Sequence, residues 1–354
     1  MAGLCWMAVT LAVFLFSEKS LALDQNQLAT IVQQILNKYR PSYMDPQTRR
    51  MKYPMFSLAV SVPYNRVSGS YDVNLVPDTN EAVKTRIQNC DLYIGTRVVA
   101  ATVLKWDDVT RQCPNGNVQW PSILRQCPAG VRTWIQVKNR CPQAIRQGRA
   151  DHAEYRTLQG FNTLVTNRNS NDLLLFYVLA SPCDKRCTSE TNRFNILDSI
   201  QRIRGWTNYA VVFSNVFKPT GDVQIPENDL RDALQRLGNR VGLQNIYRCK
   251  SVGAMQCTSC STGDQVTRYC YSDNVETGPS QNFPQGSAGV ESWGSSQSWG
   301  GGQPWGGSQS WGGSQPSGGG QPSGGSQPLG GGQWWGGSQP WGGDQWWGGD
   351  QWWG

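Results

Sequence analysis

Hydrophobic and polar positions follow regular patterns along the central part of the chain and predict both strands and helices. Asp172–Ala180 is almost entirely apolar, as expected for a strand buried on both faces of a sheet. Apolar residues recur with helical spacing in Leu28–Leu36 and in Glu227–Val241. The other predicted elements are the strands Phe56–Tyr64, Leu92–Leu104 and Asn208–Phe217 and the helix Asn195–Arg204. Strands that alternate with helices predict an α/β domain with a mixed sheet.

The two ends of the chain differ from this central part. An apolar run of 13 residues, Leu4–Phe16, predicts a signal peptide over residues 1–22, with cleavage after Ala22. The run is too short to span a bilayer and no later run is long enough, so we expect no membrane span. From Trp293 the chain repeats a six-residue unit, and 11 of the 16 tryptophans lie there. We expect a disordered Gly/Gln/Trp-repeat tail over residues 273–354, whose partner the sequence does not identify.

The body between these ends, residues 23–272, is strongly basic. It carries 31 lysine and arginine side chains and 19 aspartate and glutamate side chains, a net charge of +12. Such a charge favours an anionic partner, for example nucleic acid, although it is also compatible with a general role in solubility. The length of this body suits a single domain.

Ten cysteines remain after the predicted cleavage, and an even number in a secreted chain indicates disulfides. Two arrangements are open: five bridges, or four bridges with two thiolates reserved for a metal ion. Cys257-x-x-Cys260 has the spacing of a metal half-site, but the chain contains only one histidine, which belongs to another motif, so we expect disulfides there.

The single histidine of the chain, His152, lies two residues before Glu154, and Pro182-Cys183 and Cys187 follow downstream. His-x-Glu followed by Pro-Cys and a second cysteine is the signature of zinc deaminases, which usually have two residues between the cysteines where this chain has three. One imidazole and two thiolates leave the fourth tetrahedral position of Zn²⁺ open for water. The motif predicts one Zn²⁺ per chain, bound by His152, Cys183 and Cys187, with Glu154 as the catalytic acid and base.

Neighbouring residues indicate how the fold presents this motif. Asp151 is predicted to cap the helix that carries Glu154, and Pro182 is predicted to open a helix with both cysteines on one face of its first turn. Structural explanations are also open. Asp151 and Glu154 match a capping box, and the two cysteines can form a disulfide. The order of these features beside a buried strand favours the metal site.

On His152-Ala153-Glu154 and Ser181-Pro182-Cys183…Cys187 the chain resembles the cytidine deaminase-like superfamily, and more narrowly the secreted AID/APOBEC-like deaminases. The resemblance covers roughly residues 56–250. It implies a three-layer sandwich with a mixed five-stranded sheet and the conversion of cytosine to uracil in single-stranded DNA or RNA. It also implies an extracellular protein, with defence against foreign nucleic acid as one setting. The family's usual Ser-Trp-Ser before Pro-Cys is Leu179-Ala180-Ser181 here, so one aromatic wall of the base pocket is missing.

Two regions are candidates for contact with an anionic substrate. Lys185 and Arg186 lie between the two cysteines and are predicted to bind substrate. An insertion over residues 107–150 carries three cysteines, seven basic residues, Trp120 and Trp134, a composition that can track phosphates and stack unpaired bases. A disulfide-braced surface loop accounts for the same composition, and we favour that explanation for any one of its residues.

Two other functions are also open. A nucleoside deaminase is expected if the insertion closes the pocket. A non-catalytic secreted binding protein that retains the fold would use zinc structurally and the tail for binding. Glu154 argues against this last function, because a structural zinc site has no use for a carboxylate beside an open coordination position.

The predicted signal peptide is tested on protein secreted by a eukaryotic host. N-terminal sequencing is expected to begin at Leu23, because small residues occupy the cleavage positions before it. Retention of Met1 in the secreted protein would contradict this expectation.

Overall fold

The computed structural model describes residues 23–218 and 224–274. The predicted signal peptide and nearly all of the predicted tail lie outside the described residues. The described α-helices are α1 (Gln25–Tyr39), α2 (Asn80–Gln88), α3 (Val109–Gln112), α4 (Pro121–Leu124), α5 (Trp134–Arg140), α6 (Ala153–Gln159), α7 (Asn162–Thr166), α8 (Leu197–Ile200) and α9 (Glu227–Val241). The described strands are β1 (Tyr43–Met44), β2 (Met51–Lys52), β3 (Phe56–Val62), β4 (Tyr64–Asn65), β5 (Ser70–Tyr71), β6 (Tyr93–Ile94), β7 (Val98–Thr102), β8 (Leu104–Lys105), β9 (Ala150–Asp151), β10 (Leu173–Ala180), β11 (Asn208–Asn215), β12 (Ile246–Val252), β13 (Ala254–Ser259), β14 (Ser261–Thr262) and β15 (Gln265–Val266).

Seven strands form one mixed sheet in the order β13-β12-β11-β10-β3-β7-β6. β10 lies at its centre, and all eight of its residues are buried, as its apolar sequence predicts. β10 pairs antiparallel with β3 and parallel with β11, which in turn pairs parallel with β12. The five strands from β7 to β12 form the expected mixed sheet, and β6 and β13 extend it to seven. The predicted α/β fold class is confirmed.

The hydrophobic pattern does not predict β12, because its sequence Ile-Tyr-Arg-Cys-Lys-Ser-Val includes two basic residues. Arg248 is nevertheless only 1 % exposed. Its guanidinium donates to the carbonyl oxygens of Tyr269 and Ser272 and forms an ion pair with Asp273. A buried cation with this many acceptors is compatible with a core strand.

Helix α6, which follows His152, is fixed closely against the sheet. It packs on β3 and β7. Thr157 Oγ1 donates to the Ser57 carbonyl oxygen at 3.1 Å. At the end of α6, a Cβ atom on Gly160 would lie 2.9 Å from the Val99 side chain, so the close approach of helix and sheet requires glycine there. The backbone of the His152 segment is therefore held by the core.

Four disulfides use eight of the ten cysteines in the predicted mature chain. The bridges are Cys90–Cys113, Cys127–Cys141, Cys249–Cys257 and Cys260–Cys270. The two cysteines left over, Cys183 and Cys187, are buried thiols. The structure therefore has four bridges and a separate thiol pair, and Cys257-x-x-Cys260 is not a metal half-site, because its two sulfurs belong to different bridges.

The insertion over residues 107–150 has a hydrophobic cluster of its own, separate from the main core. Trp120 and Trp134 lie inside it, at 2 % and 0 % exposure, with their ring centroids 4.9 Å apart. Neither ring is available to stack on an unpaired base. The prediction that these two tryptophans could stack on bases is therefore wrong. The insertion is a disulfide-braced element with a core, as the alternative explanation expected.

None of the helices in the described residues combines the length and the apolar character that crossing a membrane requires.

The thiol pair gives a direct chemical prediction. After unfolding without reductant and with a metal chelator present, a thiol-alkylating reagent is expected to label two cysteines per chain, and peptide mapping should identify them as Cys183 and Cys187. In the native protein the same reagent should react slowly, because both sulfurs are buried. Detection of a Cys183–Cys187 disulfide in freshly secreted protein would contradict the structure.

Candidate metal centre

His152 lies at the start of α6, where it occupies the position before the first helical residue. The prediction that Asp151 caps this helix is wrong, because Asp151 belongs to β9 and pairs with Leu104 of β8. The Asp151 carboxylate faces the insertion instead and accepts a hydrogen bond from Trp120 Nε1 at 2.8 Å. Since no side-chain cap is present at α6, a capping box does not account for Glu154.

The two cysteines lie in a turn that directly follows the carboxyl end of β10. The predicted helix opening at Pro182 does not form, and the next helix, α8, begins only at Leu197. The turn is closed by the Thr188 amide, which donates to the Cys183 carbonyl oxygen at 3.1 Å. Within it, the Cys187 amide donates to Cys183 Sγ at 3.3 Å. This wide turn accommodates the third residue between the cysteines and still directs both sulfurs to the same side.

The structure brings together the three predicted metal ligands. His152 Nδ1 lies 3.1 Å from Cys187 Sγ and 3.6 Å from Cys183 Sγ, and all three ligand atoms are within 4.8 Å of one another. Tetrahedral Zn²⁺ with ordinary bond lengths holds such atoms about 3.6–3.8 Å apart. One imidazole and two thiolates are ligands that zinc prefers. The residues present therefore fit a zinc ion, and they are the only such cluster of three in the described part of the chain.

Glu154 lies in the first turn of α6 and is only 2 % exposed. Its Oε1 atom accepts a hydrogen bond from Cys187 Sγ at 3.4 Å. Its Oε2 atom is buried and has no hydrogen-bond partner among the described residues. Burial raises the pKa of this carboxyl above its usual value. A buried carboxylate oxygen next to a metal-ligand cluster can accept a proton from a molecule that enters the site.

The three ligand side chains shift one another's pKa values. The hydrogen bond between the thiols lowers the pKa of Cys183 well below its usual value and raises that of Cys187. Burial acts to lower the pKa of His152, but the Cys183 thiolate and its hydrogen bond outweigh it and raise the value to about 9. Metal binding requires a neutral imidazole and two thiolates, so it must release protons from this site.

Basic and aromatic side chains surround the cysteine turn. The Arg186 guanidinium lies 3.6 Å from the Asp151 carboxylate and 4.6 Å from the Phe194 ring centroid. Arg193 stacks on the same ring at 4.6 Å, and Tyr155 contacts its edge with centroids 5.4 Å apart. Lys185 is exposed on the turn. Substrate binding by Lys185 and Arg186 stays a prediction.

Sequence reasoning missed Tyr155, Phe194 and Arg193 as neighbours of the site. The adjacent arginine and phenylalanine shortly after Cys187 were the available signal. They do not belong to the zinc motif, and only the fold brings Phe194 against Tyr155 of α6.

The structure is an α/β domain with a mixed sheet, and a His/Cys/Cys cluster with a buried glutamate lies beyond the carboxyl end of β10. This combination is typical of the deaminase-like proteins. Residues 135–274 match the family model described as Secreted Novel AID/APOBEC-like Deaminase 1, a segment that contains all four site residues. The predicted resemblance of this chain to secreted AID/APOBEC-like deaminases is confirmed. Neither a curated protein nor a solved structure matches the chain. The family description includes secretion, with which the four disulfides are consistent.

The charge of the site can be measured on its one imidazole. In the metal-free protein we expect the His152 ring to titrate with a pKa of about 9, because of the neighbouring Cys183 thiolate. The imidazolium then stabilises the folded state fully below the ordinary pKa of 6.5. This contribution to the free energy of unfolding is lost as the pH rises through about 9. Proton NMR of the ring signals gives the titration directly, since the chain contains a single histidine.

Cys183→Ser is the control for this titration. The variant removes the thiolate that raises the pKa of His152. The lowering of this pKa by burial is then opposed less, so the pKa should fall. A wild-type pKa below the ordinary value of 6.5 is the result that contradicts the described site.

Proposed function

We propose that this chain is a secreted zinc-dependent cytidine deaminase that converts cytosine to uracil in single-stranded nucleic acid. The observation that carries the proposal is the Glu154 carboxylate, which is buried against Cys187 and keeps Oε2 without a described hydrogen-bond partner. A purely structural His/Cys/Cys site needs no such group.

In the proposed reaction, water adds to C4 of cytosine, and the exocyclic amine leaves as ammonia to give uracil. His152, Cys183 and Cys187 would hold one Zn²⁺ per chain. When bound, the ion would supply Lewis acidity and lower the pKa of the attacking water towards neutrality. Glu154 Oε2 takes one proton from the attacking water and delivers it to the ring nitrogen. The same carboxylate then takes the second proton from the new C4 hydroxyl and delivers it to the exocyclic amine, which leaves as ammonia while the C4 carbonyl forms.

Burial of Glu154 suits it to this proton transfer. A carboxyl with a raised pKa holds a proton near neutral pH more readily than an exposed one does, and a general acid and base works best when its pKa lies near the working pH. The rigid attachment of α6 to β3 and β7 keeps the carboxylate at a constant distance from the ligand atoms.

The charge around the site supports a polyanionic substrate. Arg149, Arg186 and Arg193 lie close enough to one another for their charges to interact, and their repulsion adds to the burial that lowers the pKa of Arg149. One carboxylate, Asp151, offsets part of this charge. Guanidinium groups beside an aromatic ring such as Phe194 can bind a phosphate next to a stacked base. The net charge of +12 on residues 23–272 is also positive, which favours binding of a polyanion.

Phe194 and Tyr155 are candidates for the aromatic wall that Leu179-Ala180-Ser181 does not supply. Tyr155 is adjacent to Glu154, and its ring contacts Phe194 edge to face. Both rings are partly exposed, unlike the buried Trp120 and Trp134. An aromatic pair in this position can stack against a base without reading its sequence.

The proposed activity is tested with the purified full chain on single-stranded DNA, single-stranded RNA and free cytidine. Glu154→Gln should reduce uracil formation about 10²–10⁴-fold, because it removes the proton acceptor and keeps the shape of the side chain. Bound zinc, measured by elemental analysis, should stay near one ion per chain. Glu190→Gln is the matched control on an exposed glutamate and should leave the rate unchanged.

The three substrates separate the alternatives. Activity on cytidine alone favours a nucleoside deaminase. Stoichiometric zinc with no uracil from any of the three substrates contradicts the enzymatic proposal and favours a non-catalytic binding protein that retains the fold.

A further inference from the structure

A single carboxylate connects the insertion to both halves of the candidate metal centre. Asp151 Oδ2 accepts the hydrogen bond from Trp120 Nε1 at 2.8 Å, and Oδ1 lies 3.6 Å from Arg186 Nη2. Asp151 is covalently adjacent to His152, and Arg186 is adjacent to Cys187. The same group therefore contacts the insertion, the histidine segment and the cysteine turn.

These contacts are partly shielded from water. Trp120 is 2 % exposed, and the side chains of Arg186 and Asp151 are 14 % and 22 % exposed. Arg149 lies 4.4 Å from the Trp120 ring centroid, and Trp134 packs against its edge. Hydrogen bonds to a charged group are stronger than neutral ones and gain further when water is excluded. The hydrogen bond to Asp151 fixes the direction of the indole N–H.

A second connection lies on the other side of Glu154. Arg156 Nη2 donates to Gln119 Oε1 and to the Cys90 carbonyl oxygen, each at 2.7 Å. Gln119 also donates to the same carbonyl oxygen at 2.6 Å, and Cys90 is bridged to Cys113 of the insertion. The insertion therefore holds residues on both sides of the His152–Glu154 segment.

We propose that Trp120 and Arg186 act through Asp151 as positioning residues, which fix His152 against Cys183 and Cys187 and so set the metal affinity of the site. The inference rests on the proposed zinc site. The ligands come from two segments that no covalent bridge joins, so their relative position depends on contacts between those segments. Metal affinity rises when surrounding groups hold ligands in the binding geometry before the metal arrives.

The test measures Zn²⁺ affinity of the full chain by competition with a chromogenic chelator, and the absorption spectrum of the Co²⁺-substituted protein. Trp120→Phe removes the indole donor and keeps an aromatic ring. Loss of an outer contact of this kind is expected to weaken Zn²⁺ affinity about tenfold and to change the Co²⁺ spectrum.

Trp134→Phe is the matched control. Trp134 lies in the same cluster, is fully buried, and its Nε1 atom has no acceptor among the described residues. The two variants delete an equivalent indole from one hydrophobic cluster, but only one deletion removes a hydrogen bond to Asp151. Zn²⁺ affinity of Trp134→Phe should remain within about twofold of wild type.

Equal affinity losses in the two variants, or an unchanged affinity in Trp120→Phe, would overturn the proposal. If thermal unfolding shows that Trp120→Phe does not fold, Arg186→Gln tests the other contact of Asp151 and should weaken Zn²⁺ affinity to a similar extent. A wild-type chain that binds zinc but forms no uracil contradicts the proposed activity and leaves this inference standing. A wild-type chain that binds no zinc contradicts both.

Discussion

The candidate site depends on the close approach of one imidazole to two buried sulfurs. His152, Cys183 and Cys187 are held within bonding reach of a common ion, with the Glu154 carboxylate beside them. Removing several ionisable groups from water is costly unless they neutralise one another or bind a metal. The hydrogen bonds between the thiols and the imidazole offset part of this cost in the metal-free chain. A divalent ion would satisfy all three ligands at once.

The sheet makes this approach possible. Cys183 follows the carboxyl end of β10, which is paired along its length with β3 on one side and β11 on the other. Glu154 lies on α6, which packs on β3 and β7. The two halves of the site therefore rest on neighbouring strands of one rigid core. Such support allows catalytic groups to keep a constant geometry without a covalent link between them.

The central strands and the grouping of His152, Cys183 and Cys187 could be predicted because both follow from local sequence patterns. β10 is continuously apolar, and the single histidine left few choices for the metal site. Features that depend on distant partners could not be predicted. Arg248 is buried in β12 only because Tyr269, Ser272 and Asp273 supply acceptors from elsewhere in the chain.

The predictions about Asp151 and Pro182 failed for a similar reason. Asp151 has the residue type of a helix cap, but its carboxylate accepts a hydrogen bond from the Trp120 indole of the insertion instead. Pro182 is compatible with a helix start, but the hydrogen bonds from Cys187 and Thr188 to Cys183 close a turn there instead. The disulfide pairing could not be predicted either, because cysteine spacing alone does not determine it.

X-ray absorption at the zinc K edge tests the central claim most directly, since it reports the atoms around the ion in the purified full chain. The account predicts two sulfur neighbours at about 2.3 Å and two lighter neighbours, one of them the His152 nitrogen, at about 2.0–2.1 Å. A shell of four sulfurs, or a shell without sulfur, would contradict it.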